Sequence, residues 1–460
     1  MSLSLLHTLL PAVNAGVKRH DLKEDETMND MLRAQKNDSS FPGVWDELIW
    51  RGLVKMSTDD QELRKILNGS PVSFYCGFDP TAPSLHVGNL VQLLVMRRLQ
   101  LAGHRPVALV GGSTGLIGDP RPTAERVLND EETVSGWVDK LQAQVEKFLS
   151  NSGPAPVKLV NNLDWFSGVS AINFLRDVGK FFRVNTMLKK DAVRTRLESD
   201  AGISFTEFSY QLLQASDFLE LHKSEGCVLQ TGGSDQWGNL IGGVELVGRA
   251  TGDTVHALGT PLITNTDGTK FGKSEGNAIW LDPTMTSPFE FFQFWMNTAD
   301  ADVIDRVKVF TFLNRAEVRE LELEVDERPG ARVAQRKLAF EVTALVHGVK
   351  AAENAQAVSS VLFGSGDLDT LDVKTLADAM QSLNEPVEVE EGQSTAEVAV
   401  AAGVASSLGE ARRLMKQNGL TFNHRKLEAD TKLHQSDFIN GKFMLVKKGK
   451  KTLVSVMVKD

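Results

Sequence analysis

Two short segments, about 180 residues apart, carry residue types suited to phosphate chemistry: Ser84-Leu85-His86-Val87-Gly88-Asn89 and Lys270-Phe271-Gly272-Lys273-Ser274. The first opens a helical pattern after an apolar run and a Gly/Pro loop. His86 and Asn89, three residues apart, would share the face of the helix's positive end, where a triphosphate can lie. The second places two cations and a hydroxyl in a glycine-containing loop that can supply charge as it develops on phosphate. Each segment alone is weak, since a lone helical histidine is more often structural. Together they read as a split ATP site.

A second constellation lies between them. Tyr210, Gln214 and Asp217 recur at helical spacing and form one polar stripe flanked by Leu212, Leu213, Phe218 and Leu219. Such a stripe fits a polar ligand, the alternative being a solvent-facing surface. The chain holds 23 phenylalanines but only two tyrosines, Tyr75 and Tyr210. Both fall inside the proposed site. The loops Gly111 to Pro120 and Gly232 to Asn239 add glycines that let backbone approach a ligand closely.

The elements that must position these residues alternate. β-like runs at Val72 to Cys76, Val107 to Gly111, Val157 to Val160, Cys227 to Gln230 and His256 to Leu258 are separated by helical patterns. The helices are expected at His86 to Ala102, Glu131 to Ser150, Ala171 to Phe182, Thr206 to His222 and Gln236 to Thr251. This alternation predicts a parallel sheet covered on both faces, with the site at the carboxyl ends of the strands, where the glycine loops fall. From Ser287 to about Val361 the period is helical, and a Gly/acid-rich join leads to a mixed helix-and-strand tail.

At 460 residues, two or three domains are expected. The two cysteines, Cys76 and Cys227, are too few for a disulfide framework or a cysteine-rich metal site, and no apolar run reaches the roughly 20 residues of a membrane span. A soluble cytoplasmic protein is the expectation. The net charge of -10 argues against nucleic-acid binding along the whole chain, yet Val404 to Asp460 carries about twelve Lys/Arg against five Asp/Glu. Residues 1 to 43 read as a disordered extension, or as an over-extended start with Met28 the true initiator.

The motif Tyr75-Cys76-Gly77-Phe78-Asp79-Pro80-Thr81-Ala82-Pro83-Ser84-Leu85-His86 with Lys270-Phe271-Gly272-Lys273-Ser274 resembles the class I aminoacyl-tRNA synthetases, and within them the bacterial-type tyrosyl enzymes. The likeness runs from about residue 44 to the C-terminus. It implies a Rossmann-like catalytic domain at 44–260 with a dimer-interface insertion, and a signature loop with a helical tRNA-binding domain at 261–361. A linker at 362–392 and an S4 RNA-binding domain at 393–460 would follow.

The resemblance also supplies roles. Tyr75 and Asp217 would hydrogen-bond the phenol of L-tyrosine, Tyr210, Gln214 and Asp119 would hold its ammonium, and Gln236 would lie near its carboxylate. Cys76, Asp79, Gly88, Gly233, Asp235 and Ser274 would serve ATP. His86, Asn89, Thr81, Lys270 and Lys273 would stabilise phosphate charge, with Mg2+ entering alongside the nucleotide and no protein-ligated metal. Asn89 departs from the family's second histidine but can still donate a hydrogen bond. The loop after Pro120 lacks the usual lysine, which Arg121 or Arg126 could replace. Arg412, Arg413, Lys416, Lys447 and Lys448 would contact tRNA(Tyr), and a homodimer with Phe205 at its interface is implied. The alternatives are a tryptophanyl relative and an RNA-binding paralogue without catalysis.

Overall fold

Side-chain alternation along the strands sorts the core into two layers. The computed structural model describes residues 30–120, 128–188, 191–198, 202–264, 271–274, 277–363, 373–383, 385–449 and 452–459. Six strands, β1 (Met56–Ser57), β2 (Ser73–Phe78), β3 (Arg105–Val110), β4 (Lys158–Asn161), β5 (Cys227–Gly233) and β6 (His256–Thr260), form one sheet in the order β1-β6-β5-β2-β3-β4. All neighbours run parallel except β1, a two-residue edge strand antiparallel to β6 that the sequence reading did not anticipate. Consecutive strands lead away from β2 through β3 and β4, whereas β5 and β6 lie on its other side. That reversal opens a crevice at the strands' carboxyl ends.

Phe74, Cys76 and Phe78 of β2 point into a core shared with Leu90, Leu93 and Leu94 of the helix Val87–Leu101. Tyr75 points the other way, into a cluster with Phe218 of the helix Phe205–Glu225 and Leu246 of the helix Trp237–Thr251. The two proposed ligand-binding helices therefore cover opposite faces of one sheet. The helices Pro288–Met296, Asp300–Phe310, Arg315–Glu327 and Val333–His347 extend the first core through Phe291, Trp295, Val307, Phe310 and Leu338. Ser287 and Asn314 start two of them with reciprocal capping boxes.

A fully buried charge cluster ties the helix Val87–Leu101 to these helices. Glu47 accepts from Arg51 Nε at 2.7 Å and from Arg98 NH1 at 2.9 Å, with all three side chains at most 1% exposed. Arg51 also donates to the carbonyls of Lys308, Thr311 and Leu313, and Arg98 to that of Thr311. Two cations thus meet the negative end of the helix Asp300–Phe310 with one carboxylate between them. Glu47→Gln leaves both guanidiniums buried without an anion and should cost about 3 kcal/mol, read as the shift in urea-unfolding free energy. A loss below about 1 kcal/mol would show that the helix-end carbonyls suffice.

The expected disorder of residues 1–43 requires correction from Asp30 onward. The helix Asp30–Ala34 buries Leu32 completely, Arg97 donates to the Leu32 carbonyl, and Asp38 accepts from the Arg315 backbone. Residues 1–29 lie outside the described residues. The linker expected at 362–392 also contains structure: the helix Val373–Leu383 and strand β9 (Val387–Val389). β9 runs parallel to β12 (Thr452–Val458) in a four-stranded sheet ordered β10-β11-β12-β9, with β10 at Leu420–Phe422 and β11 at Phe443–Lys448. A three-residue strand alternating valine with glutamate carries almost no sequence signal. Between β6 and β9, Lys273–Ser274 and Asn277–Ala278 pair as a short hairpin, β7 and β8.

Candidate active site

The helix Val87–Leu101 begins as its residue types require. His86 is the N-cap in extended backbone, its Nδ1 accepting from Gly88 N at 3.0 Å, while Asn89 Oδ1 accepts from His86 N at 3.1 Å. This reciprocal cap fixes both side chains. With Nδ1 accepting from Gly88 N, Nε2 is the ring nitrogen that bears a proton. Asn89 keeps its two amide hydrogens, so the departure from histidine preserves a donor at the helix start.

The second phosphate segment lies against the same helix end. Gly272 has φ +83, and a Cβ there would stand 2.6 Å from Val87 Cγ2. Its carbonyl accepts from Ile279 N at 2.9 Å, and the Ile279 carbonyl accepts from Val87 N at 3.0 Å. Only glycine meets both the backbone conformation and the space. The described backbone thus brings the two distant segments together, with β7 carrying Lys273 and Ser274. Lys270, Arg121 and Arg126 lie outside the described residues.

On the opposite face of the sheet, the polar stripe of the helix Phe205–Glu225 is enclosed rather than solvated. Tyr210 is 5% exposed and Asp217 is 2% exposed. The Tyr210 hydroxyl donates to Asp79 Oδ2 at 2.6 Å, and Thr114 Oγ1 donates to Asp79 Oδ1 at 2.6 Å. Asp217 accepts from Asn162 Nδ2 at 3.2 Å and from Trp165 Nε1 at 3.1 Å. Burial pushes the Asp217 carboxyl well above the usual carboxylate range, opposed by those two hydrogen bonds, and pushes the Tyr75 phenol up in turn. Asp119 accepts from Gln236 Nε2 at 3.1 Å and from Asn239 Nδ2 at 3.2 Å.

Two buried polar atoms in this set have no hydrogen-bond partner among the described residues: the Tyr75 hydroxyl and Gln214 Oε1. Natural interiors satisfy nearly all such groups, so this pair marks a place where a ligand supplies the missing partners. The surrounding glycines are sterically required. A Cβ on Gly111 would come within 2.4 Å of Asp79 Oδ1, and one on Gly233 within 2.3 Å of Asp235 Oδ1.

The remaining site residues sort less simply. Cys76 is 1% exposed, its Sγ lies 3.7 Å from Gln92 Oε1, and burial pushes its thiol up to about 12. Its sulfur is buried away from a nucleotide, whereas Asp79 is half-buried with a hydrogen bond already on each oxygen. Thr81 and Asp235 are exposed at the strand ends, and Gly88 is exposed at the helix start. Asn162, Trp165, Thr114 and Asn239, which hold Asp217, Asp79 and Asp119, were not singled out from sequence. A signal existed in the Asn161-Asn162-Leu163-Asp164-Trp165 run at the carboxyl end of β4.

At the RNA end, Arg412, Arg413 and Lys416 are exposed on the helix Leu408–Lys416, and Lys447 and Lys448 end β11. Arg412 pairs with Asp430 at 3.0 Å and Lys448 with Glu410 at 3.5 Å. Arg413, Lys416 and Lys447 have no ion pair among the described residues.

The family described as tRNA synthetases class I (W and Y) matches residues 67–364, and a tyrosine–tRNA ligase SYY-like C-terminal domain matches residues 372–456. The chain is 59% identical to a tyrosine–tRNA ligase of Leifsonia xyli over 432 residues, which covers 94% of this chain and 97% of that protein. It is 54% identical to a tyrosine–tRNA ligase of Streptomyces coelicolor over 417 residues, 90% of this chain and 99% of that one. Among solved structures, a C-terminally truncated mitochondrial tyrosyl-tRNA synthetase of Aspergillus nidulans superposes with a TM-score of 0.61 at 32% identity. That match covers 69% of this chain and 93% of the other.

Proposed function

The chain belongs to the class I tRNA synthetases of the tryptophan and tyrosine group, and from that premise we propose how its residues activate tyrosine and charge tRNA(Tyr). Tyrosine and ATP give tyrosyl-adenylate and pyrophosphate, and the terminal ribose hydroxyl of tRNA(Tyr) then takes the tyrosyl group, releasing AMP. The observation that carries the tyrosine reading is the unpartnered Tyr75 hydroxyl within electrostatic reach of buried Asp217. A substrate phenol can accept from the first and donate to the second. Tyr210, Gln214 and Asp119 hold the ammonium at the mouth, and Gln236 steers the carboxylate.

The carboxylate oxygen attacks the α-phosphorus while the bond to pyrophosphate breaks in line. His86, the Asn89 side-chain amide and the positive end of the helix dipole stabilise phosphate charge, and Thr81, Lys270 and Lys273 serve the same charge by the family resemblance. Gly88 lets the nucleotide approach the helix start, and Gly233 and Asp235 line the ribose side with Cys76, Asp79 and Ser274 nearby. Magnesium arrives as part of the nucleotide substrate. No covalent enzyme intermediate is needed, so positioning and electrostatics carry the rate. Arg412, Arg413, Lys416, Lys447 and Lys448 engage tRNA phosphates.

The protein acts as a cytoplasmic homodimer. Ile172, Val184 and Phe205, which are 73%, 59% and 74% exposed, lie between β4 and the start of the tyrosine helix, and a second copy would cover them. Both cysteines are free and buried, in keeping with a reducing compartment. No described helix is long and apolar enough to cross a membrane.

The direct test is ATP–pyrophosphate exchange by the purified protein with each amino acid in turn. Exchange with tyrosine alone is expected. Exchange driven by tryptophan would overturn the pocket assignment, and none with any amino acid would favour an RNA-binding protein without catalysis.

A further inference from the structure

Phe271 sits between the two lysines of the phosphate segment, yet its ring is held by the helical layer. Its centroid lies 5.2 Å from that of Phe294, 5.5 Å from Trp295 and 5.4 Å from Phe310. Arg306, on the helix Asp300–Phe310, places its guanidinium 4.9 Å from the Phe271 centroid and donates from NH2 to the Thr264 carbonyl at 2.6 Å. One side chain therefore touches the chain just before and just after residues 265–270. The Arg306 side chain is only 6% exposed, and the carboxylate it pairs with, Asp302, stands 3.6 Å away, longer than a good charge-assisted hydrogen bond. Its Nε–H has no hydrogen-bond partner among the described residues.

A buried cation so loosely neutralised is expensive for folding alone, which argues for a role in placing what it touches. The next residue shows what that is. Gly272 abuts Val87 at the start of the helix that carries His86 and Asn89, with no room even for a methyl group. A shift of Phe271 on its aromatic seat would carry Gly272 off that helix end and move Lys273 with it.

We propose that Arg306 is a positioning residue for adenylate formation, holding Thr264 and Phe271 on the helical layer and so setting where the backbone presents Lys273 to the nucleotide phosphates. The inference rests on the reading of that lysine as a phosphate-binding group. Displacement of charged groups by about 1 Å costs up to about 100-fold in rate without disturbing a pocket elsewhere. The tyrosine pocket lies across the sheet and serves as the internal control.

The test uses the full-length chain with Arg306→Met, which keeps much of the volume but neither the charge nor the donors, and Arg306→Lys, which can reach only one of the two contacts at a time. Single-turnover tyrosyl-adenylate formation is followed over a range of ATP, with tyrosine Kd from equilibrium dialysis. Arg306→Met is expected to slow adenylate formation about 10- to 100-fold with tyrosine Kd unchanged, and Arg306→Lys to recover part of the loss. In a Lys273→Ala background the Arg306→Met effect should shrink, because both changes act through one group. A wild-type rate in both Arg306 variants overturns the proposal, as does an undiminished Arg306→Met effect beside Lys273→Ala. If Arg306→Met fails to fold, the rate of Arg306→Lys decides: slowed with unchanged tyrosine Kd supports the proposal, and wild-type overturns it. A wild-type rate for Lys273→Ala itself would overturn the phosphate reading of the loop instead.

Discussion

Asp217→Ala lowers tyrosine-dependent pyrophosphate exchange by about 10³-fold or more and leaves tRNA affinity at its wild-type value. The size follows from what the carboxyl does twice over. It is the buried acceptor we propose for the substrate phenol, and it is the partner of Asn162 Nδ2 and Trp165 Nε1, 55 and 52 residues away in the chain. Truncation to alanine orphans both donors and leaves the phenol facing a cavity. Each unsatisfied buried group costs roughly 1–3 kcal/mol, so three of them account for the loss.

The same variant should change specificity. Phenylalanine entering the native pocket leaves both the Tyr75 hydroxyl and Asp217 without a ligand partner, which is the origin of the roughly 10⁵-fold discrimination already established for tyrosyl-tRNA synthetases as a class. In Asp217→Ala the ratio of exchange rates for the two amino acids falls by about 10³-fold, leaving the share owed to the Tyr75 hydroxyl. Measuring exchange with both amino acids in both proteins separates pocket loss from a general defect. Tyrosine exchange within about tenfold of wild type would mean the phenol is read elsewhere.

The alternation of the sheet, the start of the helix Val87–Leu101 and the polar stripe of the tyrosine helix were legible because each rests on local rules. Side-chain period, capping and turn chemistry act over a few residues. The parts not legible are held by contacts distant in sequence. Asn162 and Trp165 acquire meaning only once β4 lies beside β3, which brings them to Asp217. Arg51 and Arg306 were not singled out, because their partners, the carbonyls of residues 313 and 264, come to them only in the fold. The segment after Asp30 reads as part of a disordered extension, yet Leu32 is completely buried and Asp38 is tied to the Arg315 backbone. β9 was missed because register with β12, rather than its own composition, makes it a strand.

Deleting residues 372–460 is expected to spare tyrosine-dependent exchange and to reduce tRNA charging by about 10³-fold. Exchange survives because every residue assigned to tyrosine and ATP precedes the cut. Charging falls because Arg413, Lys416 and Lys447 go with the deleted part, and three charge-assisted phosphate contacts at about 1.5 kcal/mol each amount to roughly three orders of magnitude in affinity. Arg412 and Lys448 contribute less, since Asp430 and Glu410 already compensate them. The cut also uncovers Phe289, Val358, Val361 and Leu362, which pack against Ile439, Phe443 and Leu445 of the removed part. Poor behaviour of the shortened chain could therefore mimic lost recognition. The full-length triple variant Arg413→Ala, Lys416→Ala, Lys447→Ala removes that ambiguity because the apolar contact stays covered. Its tRNA affinity should fall, and the slope of log affinity against log salt should flatten by about 2 to 3, the value for three lost phosphate contacts. An unchanged slope with full charging would place tRNA recognition on the helices before residue 364 and leave these cations as solvated surface.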